Sequence, residues 1–275
     1  MKRITCILLA FIMLALLSAC TGGGSDTEAT TGEAPSQTAT EDSRTVRLTF
    51  PEGMTLSEIA LKLEENGVCS ASEFMAAADD ATFAADYSFA SGLTKENRAF
   101  LLEGYIFPDT YDFFRGESAR KALSRFLINA ETKFDGLEEK AAALGYTLDE
   151  IITIASIVQE EATSPEMARV SSVLHNRLDD GMQLQCDVTI AYLKNSVMPY
   201  LDGDVERYNA YYNTYKCPAL PTGPICSPGM DAVIAALNPA YTDYLFFVTD
   251  KADPTVFYYS GDYDEHLKNC ETAGW

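Results

Sequence analysis

Histidine is scarce in this chain. Two occur in 275 residues, His175 and His266, and no Gly-x-Ser-x-Gly accompanies them. A nucleophile system needs a base and a third group to orient it. His266 and Cys270 sit four residues apart on an expected terminal helix, but no orienting group stands near, so they read as two solvent-facing polar residues. There is no CxxC pair and no His/Cys ligand spacing, which argues against a zinc site. No glycine-rich phosphate loop follows a strand, so nucleotide chemistry is unsupported and no cofactor is expected. Positive charge is also short: 20 Lys and Arg stand against 41 Asp and Glu, a formal net charge of -21. An acidic surface repels phosphate backbones, which excludes nucleic acid as the natural partner.

Long apolar runs are missing except at the start. Lys2 and Arg3 precede Ile7 to Leu17, then Leu17-Ser18-Ala19-Cys20. A membrane span needs roughly 20 residues; this shorter run suits an export signal. Small residues before a cysteine resemble a lipoprotein processing site, with Cys20 lipidated and residues 1–20 as its signal peptide. The alternative is a single N-terminal transmembrane helix. Either way the remainder is expected outside the cytoplasm, on the extracytoplasmic face of a membrane in the cell envelope. Beyond Cys20, five cysteines remain (Cys69, Cys186, Cys217, Cys226 and Cys270), an odd number that cannot form a complete disulfide framework. Cys217 and Cys226 flank a Pro/Gly loop and could pair, buried free cysteines being the common alternative.

Residues 21–44 have no large apolar side chain and read as a disordered tether. Folding is expected from about Val46, where alternation predicts a strand. Thr55 with Glu58 forms a capping box for a helix with Ile59, Leu61 and Leu63 as its apolar face, closed by Gly67. Ser70 with Glu73 starts a second helix, and Thr110 to Phe114 reads as a return strand. The first unit is therefore strand–helix–helix–strand with an insertion. Glu117–Phe134 and Leu137–Leu144 are periodic, and Thr147 with Glu150 caps a core helix. Ser164-Pro165-Glu166 starts another, with Pro165 at the first helical position, running to about Leu178. Past Gly181 the chain turns Pro-, Tyr- and Asn-rich, as binding loops do. Pro228-Gly229 opens a short helix through Leu237, and two β-rich runs around Ala252–Pro254 form a closing hairpin. The fold class expected is α+β.

Carboxylates are the better chemical prospect. The core helix ends in Gln159-Glu160-Glu161-Ala162. Neighbouring helical residues point about 100° apart, so Glu160 and Glu161 cannot face one substrate together. Ile154, Val158 and Glu161 share one stripe by i, i+4, i+7 spacing. Glu161 is thus the more desolvated of the two. Desolvation and the negative end of the helix dipole both raise its pKa toward that of a general acid. A plain solvated helix end is the competing reading.

The chain resembles the YceG-like endolytic murein transglycosylases, the MltG family. The blocks that carry the resemblance run from Leu102-Glu103-Gly104-Tyr105 through Phe107-Pro108-Asp109-Thr110-Tyr111 to Ala155-Ser156-Ile157-Val158-Gln159-Glu160-Glu161. Asn176-Arg177-Leu178, Gly181 to Asp187 and Tyr212-Asn213-Thr214-Tyr215 follow. Leu220 to Gly229 and the terminal Phe-Phe-Val strand complete the set. Gln159 stands where the family usually has glutamate, and Val188 follows Asp187 where it usually has proline. Typical members carry a transmembrane anchor, whereas this chain looks lipidated.

The resemblance implies a LysM-like βααβ subdomain over 45–115 and a mostly helical catalytic domain over 116–275, ending in the β-hairpin. It implies Glu161 as the single acid/base, cutting between N-acetylmuramic acid and N-acetylglucosamine to leave 1,6-anhydro ends. Asp187 is implied as a possible helper, with Gln185, Asn213 and Tyr215 as possible sugar contacts. Peptidoglycan strands are the implied substrate and peptidoglycan synthases possible partners. Two alternatives stay open: a catalytically inactive, glycan-binding lipoprotein, and a water-using muramidase with Asp187 as second carboxylate.

Overall fold

The computed structural model describes residues 44–201 and 205–275. The signal segment, Cys20 and nearly all of the tether lie outside the described residues. What is described is α+β, about half helical, with two small antiparallel sheets.

The first sheet pairs β1 (Thr45–Phe50) with β2 (Asp109–Phe114) in antiparallel register, Thr45 opposite Phe114 and Phe50 opposite Asp109. Alternation does what a half-buried strand requires. Leu48 and Phe50 point into the core, while Arg47 and Thr49 face solvent and meet Asp112 and Thr110 across the ladder. The helices α1 (Leu56–Glu65) and α2 (Ala71–Ala78) follow β1, each capped as the sequence predicts. Leu56, Ile59, Ala60 and Leu63 are buried, but Leu61 is 38% exposed. Two residues beyond Ile59 is about 200° around a helix, so Leu61 falls on the opposite face. A four-residue helix α3 (Ala81–Ala84) lies in the insertion.

Phe50 sits edge-on to Phe126 at 5.0 Å and to Phe113 at 6.0 Å. Phe126 belongs to α4 (Ala119–Phe134), which closes this aromatic core from the other side. The second helical layer contains α5 (Leu137–Ala143), α6 (Leu148–Glu161) and α7 (Met167–Asp179). It also contains α10 (Met230–Leu237), between the short α8 (Asp187–Tyr192) and α9 (Asn209–Tyr212) and the closing hairpin. Every residue of α6 from Leu148 through Val158 except Asp149 and Glu150 is buried. No single helix among the described residues is long and apolar enough to cross a membrane.

Three further expectations are corrected. Pro165 is not the first residue of α7: Ser164–Glu166 make a turn, closed by Glu166 N–H to Thr163 O at 2.9 Å, and the helix begins at Met167. The stretch past Gly181 is not purely loop, since α8, a π-helical run Leu193–Val197 and α9 occupy it. Cys217 and Cys226 are free. The Cys217 thiol donates to Ala219 O and the Cys226 thiol to Ser156 O, so the two sulfurs serve separate carbonyls.

Contacts between distant blocks hold the layers together. Gly53 N–H donates to Ser227 O and Ser227 N–H to Met54 O, both at 2.9 Å. The buried Glu103 carboxyl accepts from Leu56 N–H at the start of α1 and from the Tyr192 hydroxyl; burial pushes its pKa up to about 8. Gly104 adopts φ +85, and a β-carbon there would lie 2.3 Å from the Pro224 ring. Replacing Gly104 by Ala is expected to cost about 2–4 kcal/mol, because backbone strain and a clash with a rigid ring act together. Denaturant unfolding of the purified protein measures it; an unchanged midpoint would show that the two segments part freely.

Candidate active site

The C-terminal end of α6 opens on a cleft of about 420 Å³. Its hairpin wall is β3 (Phe246–Thr249), paired antiparallel with β4 (Phe257–Ser260). The helix α11 (Tyr263–Thr272) packs beside that hairpin. Glu161, Arg177, Gln185, Asp187 and Tyr215 line the cleft on the helical side, and Phe246, Tyr263, His266 and Trp275 on the hairpin side.

Glu161 is half-buried as the last residue of α6, one turn past the fully buried Val158. Desolvation is the largest influence on it, the negative charge of Asp187 acts the same way, and the pKa rises from the ordinary 4.5 to about 7. The neighbouring Cys186 thiol opposes the rise as a hydrogen-bond donor, and the charge on Glu160 adds slightly to it. Cys186 is itself buried and held well above the usual thiol range, so it stays a neutral donor. The result is a carboxyl that is protonated about half the time at neutral pH, facing a groove.

The other residues expected at the site separate on inspection. Asp187 is the first residue of α8, and its carboxylate accepts from the Tyr215 hydroxyl at 2.8 Å. Burial, then the bond to Asp187, pushes that phenol up to about 12. Gln185 reaches the cleft through a left-handed backbone, φ +55, a conformation uncommon outside glycine and costing on the order of 1 kcal/mol. Its N–H donates to Thr214 O, and its Oε1 accepts from Arg177. Asn213 does not line the cleft. It is buried, its Nδ2 donates to Asn209 Oδ1, and its Oδ1 accepts the Tyr215 N–H, so its amide shapes the loop that carries Tyr215.

Glu160 turns away into a different crevice, with Gly53, Glu58 and Cys226. It lies so near Gly53 that a β-carbon there would meet its Oε1 at 2.8 Å. Gln159 is likewise occupied, accepting the Gly229 N–H at the start of α10. Glu160→Gln is expected to leave any turnover that depends on Glu161 within about twofold. The alkaline limb of its pH profile should move slightly down, because one negative neighbour of Glu161 is gone. A loss comparable to that of Glu161→Gln would show that Glu160, not Glu161, carries the chemistry.

Arg177 was visible only as part of a motif. Its guanidinium is buried and donates to Leu245 O, Gln183 O, Leu184 O and Gln185 Oε1, while standing over the Phe246 ring at 4.9 Å. Neither His266 nor Cys270 faces solvent as expected. Both are half-buried in the cleft wall, with Cys270 Sγ 3.6 Å from His266 Nε2 and the imidazole stacked on Phe246. Among the described residues no group of His, Cys, Asp and Glu is arranged to hold a metal ion.

The sequence model of the YceG-like family matches residues 27–272. The chain is 31% identical over 223 residues to an endolytic murein transglycosylase of Bacillus subtilis (strain 168), covering 77% of this chain and 61% of that protein. It is 30% identical over 240 residues to an endolytic murein transglycosylase of Streptococcus pneumoniae serotype 2, covering 81% of this chain and 43% of that one. The chain thus spans less than two thirds of the curated relatives it matches. A crystal structure of a yceG-like protein from Listeria monocytogenes superposes with a TM-score of 0.68 at 28% identity, over 81% of this chain and 74% of that one.

Proposed function

The chain belongs to the YceG-like family, and from that premise we propose that it is an endolytic peptidoglycan transglycosylase in which Glu161 is both acid and base. One observation carries the reading: a single carboxyl, raised to about pH 7 by desolvation, on a groove. Protonated Glu161 gives its proton to the oxygen linking N-acetylmuramic acid to N-acetylglucosamine, and the C1–O bond breaks. The carboxylate then takes the proton from the muramic C6 hydroxyl while that oxygen closes on C1. The product end is 1,6-anhydro, no water is consumed, and the enzyme returns to its starting protonation state. Asp187 beside the cleft offers negative charge to the oxocarbenium-like centre.

Asp187 also keeps a water-using muramidase in view, because it is a second carboxylate on the same groove. Mass spectrometry of uncross-linked glycan strands after incubation with the protein separates the two. Anhydro ends support the transglycosylase, reducing ends support the muramidase, and intact strands leave only a glycan-binding protein. The names of the relatives support peptidoglycan as substrate.

The same proposal places the enzyme in the cell envelope, held to the membrane by lipid on Cys20 and trimming or terminating nascent strands beside their synthases. The βααβ unit over 45–115 would serve as a LysM-like glycan contact. The support for the anchor is the run Lys2-Arg3, Ile7 to Leu17 and Leu17-Ser18-Ala19-Cys20. Cys20→Ser is expected to abolish incorporation of labelled fatty acid and to release the protein from membranes. Labelling equal to that of the parent would refute lipidation at this residue.

A further inference from the structure

The wall of the cleft facing Glu161 carries aromatic rings that the core leaves partly exposed. Single exposed rings are ordinary, but several gathered in one groove mark a surface that a ligand covers. Six phenyl, phenol and indole rings among the described residues are more than a third exposed: Phe114, Tyr200, Tyr215, Tyr241, Tyr263 and Trp275. Three of these six, Tyr215, Tyr263 and Trp275, line this one cleft. The helix α11 sharpens the point, because it buries no residue of its own. Tyr263, His266 and Cys270 form one stripe at i, i+3, i+7, and that stripe lines the groove instead of a core.

The rings are held in fixed relation. His266 stacks on Phe246 with centroids 5.1 Å apart and planes 23° from parallel, and Tyr263 lies 5.8 Å from Phe246 and 6.2 Å from His266. Arg177 backs Phe246 from α7. At the other end of β3, the Trp275 indole N–H donates to Thr249 O at 2.8 Å, and Lys251 stands over its ring at 5.2 Å. Three strand steps take the backbone from Phe246 to Thr249, about 10 Å at the usual rise. That is the length of a disaccharide. In a β-1,4 glycan successive rings alternate face, so like faces recur once per disaccharide.

We propose that Phe246, Tyr263 and His266 form one pyranose-stacking platform and Trp275 a second, spaced by one disaccharide along β3, so that α11 and the hairpin bind the glycan strand and set its register against Glu161. Aromatic faces pack against the axial C–H faces of sugars without requiring charge, and rigid rings lose little entropy on binding. The proposal rests on the transglycosylase reading for its ligand class.

Trp275 is the only tryptophan in the chain, so its emission reports on the platform directly. The full chain carrying Glu161→Gln, in detergent, is titrated with a β-1,4-linked N-acetylglucosamine tetramer. A saturable change in emission is expected. Tyr263→Ala and His266→Ala are each expected to raise the Kd about tenfold, while His266→Phe, which keeps the stack, retains the parent affinity. Tyr241→Ala, which removes a fully exposed ring outside the cleft, leaves binding unchanged. With Glu161 intact, Tyr263→Ala should raise KM for glycan strands and leave kcat nearly unaltered, the mark of a group that binds without entering the chemistry. Parent affinity in both alanine variants, or no change in emission at any tetramer concentration, would overturn the platform. Strands left uncut by the parent chain would instead remove the transglycosylase reading, and the tetramer titration would still decide the platform.

Discussion

Glu161→Gln is expected to reduce cleavage of glycan strands by at least about a thousandfold and to make the folded protein more stable above pH 7. Glutamine keeps the shape and loses the proton. General acid–base catalysis contributes about 10²–10⁴-fold per participating group, and here one group would supply both the donation and the recapture. The stability gain has a separate origin. A carboxyl raised from 4.5 to about 7 binds protons more tightly folded than unfolded. Its contribution to stability is therefore fully present below pH 4.5 and is lost as pH rises through 7. The full loss is about 3 kcal/mol once ionised. Glutamine has no ionised form and escapes it. The check is a pair of measurements on one variant: product ends by mass spectrometry, and denaturant midpoints at pH 5 and pH 8. A variant that still cuts strands ends the assignment. A variant that is inactive but no more stable at pH 8 than its parent would show that Glu161 is not desolvated in solution.

The same carboxyl sets the direction of the pH profile. In the proposed mechanism Glu161 starts protonated, so kcat/KM should be flat below neutrality and fall above about pH 7. Asp187 contributes to that position through its charge, and removing it should move the alkaline limb down.

How much of this was legible follows from the range of each interaction. The capping boxes at Thr55–Glu58 and Thr147–Glu150 span three residues, so a linear reading finds them. The facing of Glu161 is likewise a property of its own helix, fixed by Val158 and Ile154 one and two turns back. The opposite wall had no such signal. Phe246, Tyr263, His266 and Trp275 reach the cleft because a hairpin and α11 pack beside residues 60 to 100 positions earlier, and nothing local records that. His266 and Cys270 look like a solvated helix face unless Phe246 is known to lie beneath them. Asn213 shows the converse. A polar residue in a Tyr- and Asn-rich loop invites a ligand role, but its amide is already committed to Asn209 and to the Tyr215 backbone. Motif membership marked Asn213 and Tyr215 alike, and only the hydrogen-bond inventory tells scaffold from cleft.

Arg177→Met should be the most damaging substitution outside Glu161, with an expected loss of about 3–5 kcal/mol and with it most of the activity. Methionine keeps the apolar stem as far as the position of Nε and removes the guanidinium beyond it. Its Nε donates to Leu245 O at 2.5 Å, and one terminal nitrogen reaches Gln183 O, Leu184 O and Gln185 Oε1 at 2.9–3.2 Å. Asn176 beside it donates to Thr242 O and Tyr244 O. Together the pair pins the segment entering β3 to α7. Removing the arginine strands buried carbonyls, each costing about 1–3 kcal/mol, and frees Gln185 from the contact that helps hold its left-handed backbone. Burial lowers the pKa of Arg177, yet guanidinium stays charged at any working pH. The charge-assisted bonds therefore persist across the activity range, and the defect should not depend on pH. Arg177→Lys should recover only part of the loss, because an ammonium on a single stem cannot serve both Leu245 O and the carbonyls of Gln183 and Leu184. Denaturant midpoints and turnover for the Met and Lys variants decide it. If Arg177→Met unfolds at the parent midpoint while activity disappears, the guanidinium acts on the glycan rather than on the scaffold, and pinning β3 to α7 is not its role.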